Sequence, residues 1–170
     1  TLVLTPTREL AIQVDSELRK LAKNFRFFST VCVGGVGIYG QIKQLRRRNH
    51  FIIGTPGRVK DLMDRGMIPA ERIDSVVLDE ADRMLDMGFI PDIERIFGLV
   101  PFTRQTLFFS ATMASEIERI TNTFLSNPAR VEVARQATTG ENIAQEVCKF
   151  KASRRDRAAT EKRRLLRALI

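Results

Sequence analysis

Tryptophan is missing from the 170 residues, tyrosine and histidine occur once each (Tyr39, His50), and cysteine occurs twice (Cys32, Cys148). Two distant cysteines without a Cys-x-x-Cys exclude a disulfide framework by count, and with a single histidine they leave no Cys/His set for a metal. Free thiols suit a reducing cytosol, so a cytoplasmic location is expected. No apolar run is long enough for a membrane-spanning helix, and no membrane partner is expected. No initiator methionine and no signal-type segment precede Thr1, so the chain reads as a piece of a longer one.

What is present is globular in kind. Apolar residues make up 44% and charged residues 28%, which excludes wholesale disorder. The length fits one domain and a fraction of another. The formal charge of +8 suggests an anionic partner such as nucleic acid. That charge is unevenly placed, because residues 149–170 carry +7 and residues 1–148 only +1. The main body is therefore nearly neutral.

Short apolar runs at Leu2–Thr5, Phe28–Val33, Phe51–Thr55, Ser75–Leu78, Thr106–Ser110 and Arg130–Val133 read as strands. Helices are expected at Pro6–Lys23, Gln41–Asn49, Gly57–Arg65, Ile90–Leu99 and Ser115–Leu125, with Thr5-Pro6 as the cap and first turn of the earliest one. Strands apolar on both faces and separated by helices predict an α/β fold, a parallel sheet covered on both sides. The polar stretch 135–144 reads as a linker between a first domain over 1–134 and the start of a second over 145–170. That start would hold a strand at Gln145–Phe150 and a basic helix at Asp156–Ile170. Met84, Met87 and most of the eleven phenylalanines are expected to fill the core, and His50 to end a helix.

In an open α/β sheet, ligands gather at the carboxyl ends of the strands. Five strands run there into polar, glycine or charged residues: Thr5-Pro6-Thr7-Arg8-Glu9, Gly34-Gly35, Thr55-Pro56-Gly57-Arg58, Asp79-Glu80-Ala81-Asp82 and Ser110-Ala111-Thr112. An acidic pair closing an apolar strand is a common device for holding Mg²⁺ against nucleotide phosphates, with the neighbouring carboxylate free to polarise water. Taken alone, the acidic tetrad reads as well as a helix start favoured by the dipole, and Ser110 and Thr112 as a simple loop pair.

In this order and at these strand ends, the motifs resemble the first RecA-like domain of the DEAD-box family of ATP-dependent RNA helicases. Leu85–Phe89 and Arg104–Leu107 look like that family as well, and the general features look closest to bacterial, RhlE-like members. The resemblance runs from Leu2 to about Val133. It implies a RecA-like fold of the P-loop NTPase type, with ATP and Mg²⁺ as cofactors. Asp79 would hold Mg²⁺ through water, and Glu80 would be the general base for ATP hydrolysis. Asp82 would hydrogen-bond Ser110 and Thr112, coupling nucleotide state to domain closure. Pro6, Thr7, Arg8, Glu9, Gly34, Gly35, Thr55, Pro56, Gly57 and Arg58 would grip the RNA backbone without reading sequence, with Gln44 and Arg47 adding to that surface. Single-stranded or duplex RNA and a second RecA-like domain of the same chain would be the partners. Tyr39 could stack a base or simply pack.

No Gly-x-x-x-x-Gly-Lys-[Ser/Thr] occurs among the 170 residues. In the family this phosphate-cradling loop and the adenine-recognising glutamine motif come before the matching segment, so the chain carries the acidic half of an ATP site. Taken by itself, it is expected to hydrolyse no ATP and unwind no duplex. Two other readings fit parts of the sequence. A non-catalytic RNA-binding module keeps the basic surface and drops the chemistry. A dinucleotide-binding oxidoreductase is suggested by Gly35-Val36-Gly37-Ile38-Tyr39-Gly40, but the next strand ends in Ile53-Gly54-Thr55-Pro56, with no acidic residue to hold a ribose.

Overall fold

A computed structural model describes residues 1–113, 115–132, 149–150, 153 and 157–169. The chain divides into two compact units, Thr1–Pro128 and Ala129–Ile170.

The first unit is built on five short strands: β1 (Leu2–Leu4), β2 (Ser29–Cys32), β3 (Phe51–Gly54), β4 (Ser75–Leu78) and β5 (Gln105–Phe108). All neighbours are parallel, in the order β2-β3-β1-β4-β5. The helices α1 (Arg8–Leu21), α2 (Ile38–Leu45), α3 (Pro56–Asp64), α4 (Ala81–Asp86), α5 (Ile90–Leu99) and α6 (Ser115–Phe124) lie between or after them. Parallel pairing requires such crossovers, because a hairpin cannot join two parallel strands.

Strand period explains the two-sided core. Leu2 and Leu4 point to one face with Cys32, Val76 and Leu78, where they meet Val59 and Leu62 of α3, Met84 of α4, and Ile93, Ile96 and Phe97 of α5. Val3 points to the other face with Val33 and Ile53, against Ala11, Val14 and Leu18 of α1. Helices therefore cover both faces, as the alternating sequence predicts. Leu2 and Leu4 are wholly buried, worth about 2 kcal/mol apiece. Gly54 is needed for close packing, since a Cβ there would lie 2.1 Å from the Cys32 carbonyl oxygen and 2.9 Å from Val59 Cγ2.

Several expected boundaries move. The first helix starts at Arg8, with Thr7 as its cap; the Thr7 hydroxyl accepts from the Leu10 N–H at 3.2 Å. Thr5 instead donates its hydroxyl to the Thr7 carbonyl at 3.1 Å, so Thr5-Pro6 forms the entry turn and not the cap. At the same dipeptide Thr55-Pro56 the helix does begin at the proline, one residue before the expected Gly57, with no side-chain capping bond from Thr55. Helix α2 begins three residues before the expected Gln41, and it ends at Leu45. Asn49, expected inside it, instead turns its amide back onto the carbonyls of Gln44, Leu45 and Arg47 at 3.2, 3.4 and 2.9 Å.

The expected sixth strand does not form over Arg130–Glu132, where Arg130 pairs with Glu132 at 2.5 Å; Val133 lies outside the described residues. Of the second unit, helix α7 (Ala158–Leu169) agrees with the expected basic helix, and its Glu161 accepts hydrogen bonds from the backbone and hydroxyl of Ser153. The linker 135–144 and residues 145–148 of the expected strand fall outside the described residues, while Lys149 and Phe150 are not in a strand.

The phenylalanines overturn the expectation of core filler. Only Phe97 is fully buried, and Phe25, Phe27, Phe28, Phe102, Phe109 and Phe150 are exposed. Met84 is buried as expected, but Met87 is exposed. Burial here falls on aliphatic residues in strands and helices, whereas most of the rings sit in connections. No helix among the described residues is long and apolar enough to cross a membrane.

Cys32 lies in the core, and burial pushes its thiol up to about 12 against the opposing pull of the Arg58 charge. An unfolded thiol ionises from about pH 8.5. Above that pH the unfolded chain releases a proton that the folded chain keeps, so this group's contribution to stability is lost as pH rises from about 9 toward 12. Iodoacetamide at pH 8 should therefore leave Cys32 unmodified in the native chain and alkylate it once urea is added, as read by peptide mass mapping. Alkylation of native Cys32 at the rate of a free thiol would contradict its placement.

Candidate functional site

The strand ladders run one residue past β1, β3, β4 and β5, placing the first residues of three motifs and the residue just before Ser110. Thr5 N–H donates to the Gly54 carbonyl at 3.0 Å, Thr55 N–H to Cys32 at 3.1 Å, Asp79 N–H to Leu4 at 3.0 Å and Phe109 N–H to Leu78 at 2.8 Å. The five sequence motifs thus share one edge of the sheet, as expected from their positions.

On the β2–β3–β1 side, three motifs touch. The Arg8 guanidinium lies against Gly35, where a Cβ would come within 2.2 Å of Arg8 Nη1, and the φ of +75° at Gly35 also favours glycine. Arg58 donates from Nη1 and Nη2 to the Val36 carbonyl, both at 3.3 Å, so it braces the glycine turn. Three of its five N–H donors remain for another acceptor. Thr55 and Pro56 are buried under this surface, and Gly57 opens α3 beside Asp92. Pro6 is buried, while Glu9 is exposed in the first turn of α1. Gly34 opens the turn, and a Cβ there would meet nothing within 4 Å. Tyr39 near the start of α2 is 85% exposed, which removes its packing role.

On the β4–β5 side lies the acidic turn. Burial raises the Asp79 carboxyl above the usual range, and the Glu80 charge adds to this, while a hydrogen bond from the Glu80 backbone opposes it. Glu80 occupies the left-handed region at φ 52° and ψ 52° as the cap of α4, without a capping bond from its side chain. For a residue with a Cβ this costs about 1–2 kcal/mol. Its Oε2 accepts from Arg83 Nη1 at 3.2 Å, leaving Oε1 unengaged by that pair. The neighbouring Ala81 N–H donates to the Phe109 carbonyl at 3.0 Å, tying the turn to the end of β5.

Asp82 Oδ2 accepts from both the backbone N–H and the hydroxyl of Thr112, each at 3.1 Å, while Oδ1 accepts from the Arg83 N–H at 3.0 Å. Half of the expected pairing is therefore present. Ser110 does not bond Asp82; its hydroxyl donates to the Thr112 carbonyl at 2.8 Å and tightens the loop around the residue that Asp82 holds.

One expected residue borders this edge and one lies apart from it. Gln44, near the end of α2, lines a groove of about 420 Å³ with Val33, Val36 and Gly37 of the glycine turn and with Ile12 and Asp15 of α1. Arg47 follows α2 and lines a cleft with His50, Phe51 and Asp74, at the amino ends of the strands. Helix α2 starts at the motif edge and carries the chain away from it, which separates Arg47 from Gln44. Sequence reasoning missed Gln41, which is buried and donates its amide to the Val33 carbonyl at 3.0 Å, fastening α2 to the glycine turn. Only its polar character on an otherwise apolar helix face could have signalled this. The dinucleotide reading is not supported, since Asp61, the nearest acid after β3, pairs within α3 to Arg65 at 2.6 Å.

A parallel sheet of this order, ending in an acidic turn braced by a neighbouring Ser-Ala-Thr loop, defines a RecA-like α/β domain of the P-loop NTPase type. The family model described as DEAD/DEAH box helicase matches residues 1–120. The chain belongs to the DEAD/DEAH box helicase family. It is 49% identical over 144 residues to a DEAD-box ATP-dependent RNA helicase CshA of Geobacillus kaustophilus, covering 85% of this chain and 31% of that protein. It is 47% identical over 146 residues to the RNA helicase CrhR of Synechocystis, covering 86% and 30%. A crystal structure of a DEAD box protein from Methanococcus jannaschii superposes with a TM-score of 0.72 at 41% identity, over 74% of this chain and 34% of that one. The chain thus spans about a third of the length of the relatives it matches. These relatives carry other subtype names, so the RhlE-like assignment remains an expectation.

Replacing Glu80 by glycine removes the left-handed penalty and gives back part of it through the looser unfolded chain. The expected net effect of Glu80→Gly is a gain of about 0.5–1 kcal/mol, read as a higher urea midpoint. A lower midpoint would show that the turn is not strained.

Proposed function

We propose that this chain supplies the acidic half of the ATP site and the first RNA-gripping surface of an ATP-dependent RNA helicase. In this reading residues 1–134 form its first RecA-like domain, 135–144 the linker, and 145–170 the opening of the second RecA-like domain. The observation that carries the reading is the bonding of Asp82 to Thr112, which joins the acidic turn to the Ser110–Thr112 loop. A nucleotide-dependent shift of the turn would reach that loop directly.

Mg²⁺ fits the acidic turn. Asp79 is partly desolvated beside a second carboxylate, a situation that a cation relieves. Among the described residues no group of three potential ligands occurs, so most of an octahedral shell would fall to water and phosphate oxygens, as Mg²⁺ prefers. Asp79 would hold the ion through water, and the bound ion would supply electrostatic stabilisation of phosphoryl oxygens. Glu80 would accept the proton of the attacking water on the carboxylate oxygen that Arg83 leaves free. The open edge of β5 is where a further parallel strand would bring a phosphate-cradling loop beside Asp79.

On the other half of the edge, the backbone N–H groups at the starts of α1 and α3, the glycine turn, and Arg8 and Arg58 would hold phosphates of an RNA strand. Pro6, Thr7, Glu9, Thr55, Pro56 and Gly57 would shape and support this surface. Ser110 and Thr112 would transmit closure. Cytoplasmic location is part of the same proposal.

Three measurements test it. In the longer protein that contains this chain, Glu80→Gln should retain ATP binding and lower RNA-stimulated phosphate release by at least a hundredfold. Turnover at the wild-type rate would remove Glu80 from the chemistry. The 170 residues alone should release no phosphate with RNA and Mg²⁺-ATP. Arg58→Ala should weaken RNA binding by a similar factor for all sequences, and a base-dependent effect would contradict a backbone grip.

A further inference from the structure

The amino ends of the strands carry a second constellation that the motif edge does not use. A cleft of about 910 Å³ opens there, lined by Phe27, Arg46, Arg47, Arg48, His50 and Arg72 among others. It lies about 13 Å from the motif edge, the length of a four-residue strand. Asp74 is the one acidic residue in its lining, and Ser75 donates a hydroxyl to it at 3.0 Å. None of the four arginines forms an ion pair among the described residues. Lys23 and Arg26 add two more cations on the adjoining connection between α1 and β2, again without an ion pair there.

Aromatic rings are interleaved with these charges. Phe25 and Phe27 stack at 5.5 Å, the His50 ring meets the edge of Phe27 at 5.3 Å, and Phe28 stacks with His50 at 6.0 Å. Phe25, Phe27 and Phe28 are nonetheless 64%, 48% and 55% exposed. Large rings left in water beside uncompensated guanidinium groups are costly unless a ligand uses both.

The platform is also held in shape. Phe28 N–H donates to His50 Nδ1 at 3.1 Å, and the Phe28 carbonyl accepts from the N–H groups of His50 and Phe51 at 2.8 and 3.2 Å. Asn49 locks the arginine turn from both ends of its amide, since its Oδ1 accepts from the Thr30 hydroxyl at 2.8 Å while Nδ2 holds the turn carbonyls. A ligand therefore meets a preformed surface.

We propose that this cleft is a second, sequence-independent binding site for single-stranded RNA. Guanidinium groups neutralise phosphates, and the exposed ring faces stack unpaired bases. An acidic polypeptide would satisfy the arginines but leave the rings in water, and a duplex would keep its bases out of their reach. The site goes beyond the motif-edge grip and needs no nucleotide.

The test is fluorescence anisotropy of a labelled oligouridine of about ten nucleotides with the 170-residue chain, over a series of KCl concentrations. The α7 helix is common to all variants, so differences report the cleft. The triple variant Arg46→Ala, Arg47→Ala, Arg48→Ala should bind about tenfold or more weakly, and its log–log salt slope should be shallower by about 2. Phe27→Ala, Phe28→Ala should lose about tenfold with an unchanged slope, because stacking releases no counterions. Unchanged circular dichroism and thermal midpoints would confirm that these exposed changes leave the fold intact. Cross-linking with bromouridine RNA should label the peptides containing Phe27, Phe28 or His50. Wild-type affinity and slope in both variants, or cross-links confined to the motif edge, would overturn the proposal. So would an arginine-dependent affinity for a short polyglutamate with no change in RNA binding. Because no ATP enters the assay, the site can stand if the motif-edge reading fails, and fail while that reading stands.

Discussion

Everything at the motif edge hangs on the hydrogen-bonded ladder of β1. Three residues, Leu2–Leu4, pair in parallel with β3 on one side and β4 on the other. Because all five strands run the same way, their carboxyl ends finish together. The ladder then continues one residue beyond β1, β3, β4 and β5, fixing Thr5, Thr55, Asp79 and Phe109 by backbone bonds of 2.8 to 3.1 Å. A side chain at Gly54 would press into the Cys32 carbonyl and open this arrangement. The positions of the functional groups are thus a matter of main-chain geometry, held by a core packed on both sheet faces.

The edge has two chemically distinct halves. Around β2, β3 and β1, arginines bend inward to brace a glycine turn, so part of each guanidinium is used for structure. Around β4 and β5, the Asp79 carboxylate is partly desolvated, and the backbone at Glu80 is held in a left-handed conformation. Strain and partial desolvation of this kind are characteristic of a site that a ligand completes. Asp82 joins two elements of this half, since its two oxygens hold the start of α4 and the Thr112 loop at once.

Much of the architecture was legible because its signals are periodic. Alternation of apolar strands with amphipathic helices is a property of spacing, and the motif order follows from it. Boundaries set by single side chains were not legible in the same way. Thr5-Pro6 and Thr55-Pro56 are identical dipeptides, yet only the second opens a helix directly, because the hydroxyl of Thr7 captures the Leu10 N–H first. Asn49 could extend α2 or fold back on it, and its contacts with Thr30 and the turn carbonyls settle the choice. The phenylalanines were misread since hydrophobicity alone does not distinguish a core ring from a ring on a loop. Their exposure, beside the arginines of the opposite edge, brought a second basic surface into view.

The net charge of +8 pointed to a nucleic-acid partner while leaving its location open. Sequence by itself determined the fold class, the family resemblance and which residue types carry chemistry, because these depend on local spacing and on residue identity. Tertiary structure alone decided that Arg58 braces Val36, that Asp82 holds Thr112 but not Ser110, and that Arg47 lies at the far end of the sheet. Those outcomes depend on where distant segments meet. A linear pattern of residues carries no record of which side chain reaches a shared acceptor first.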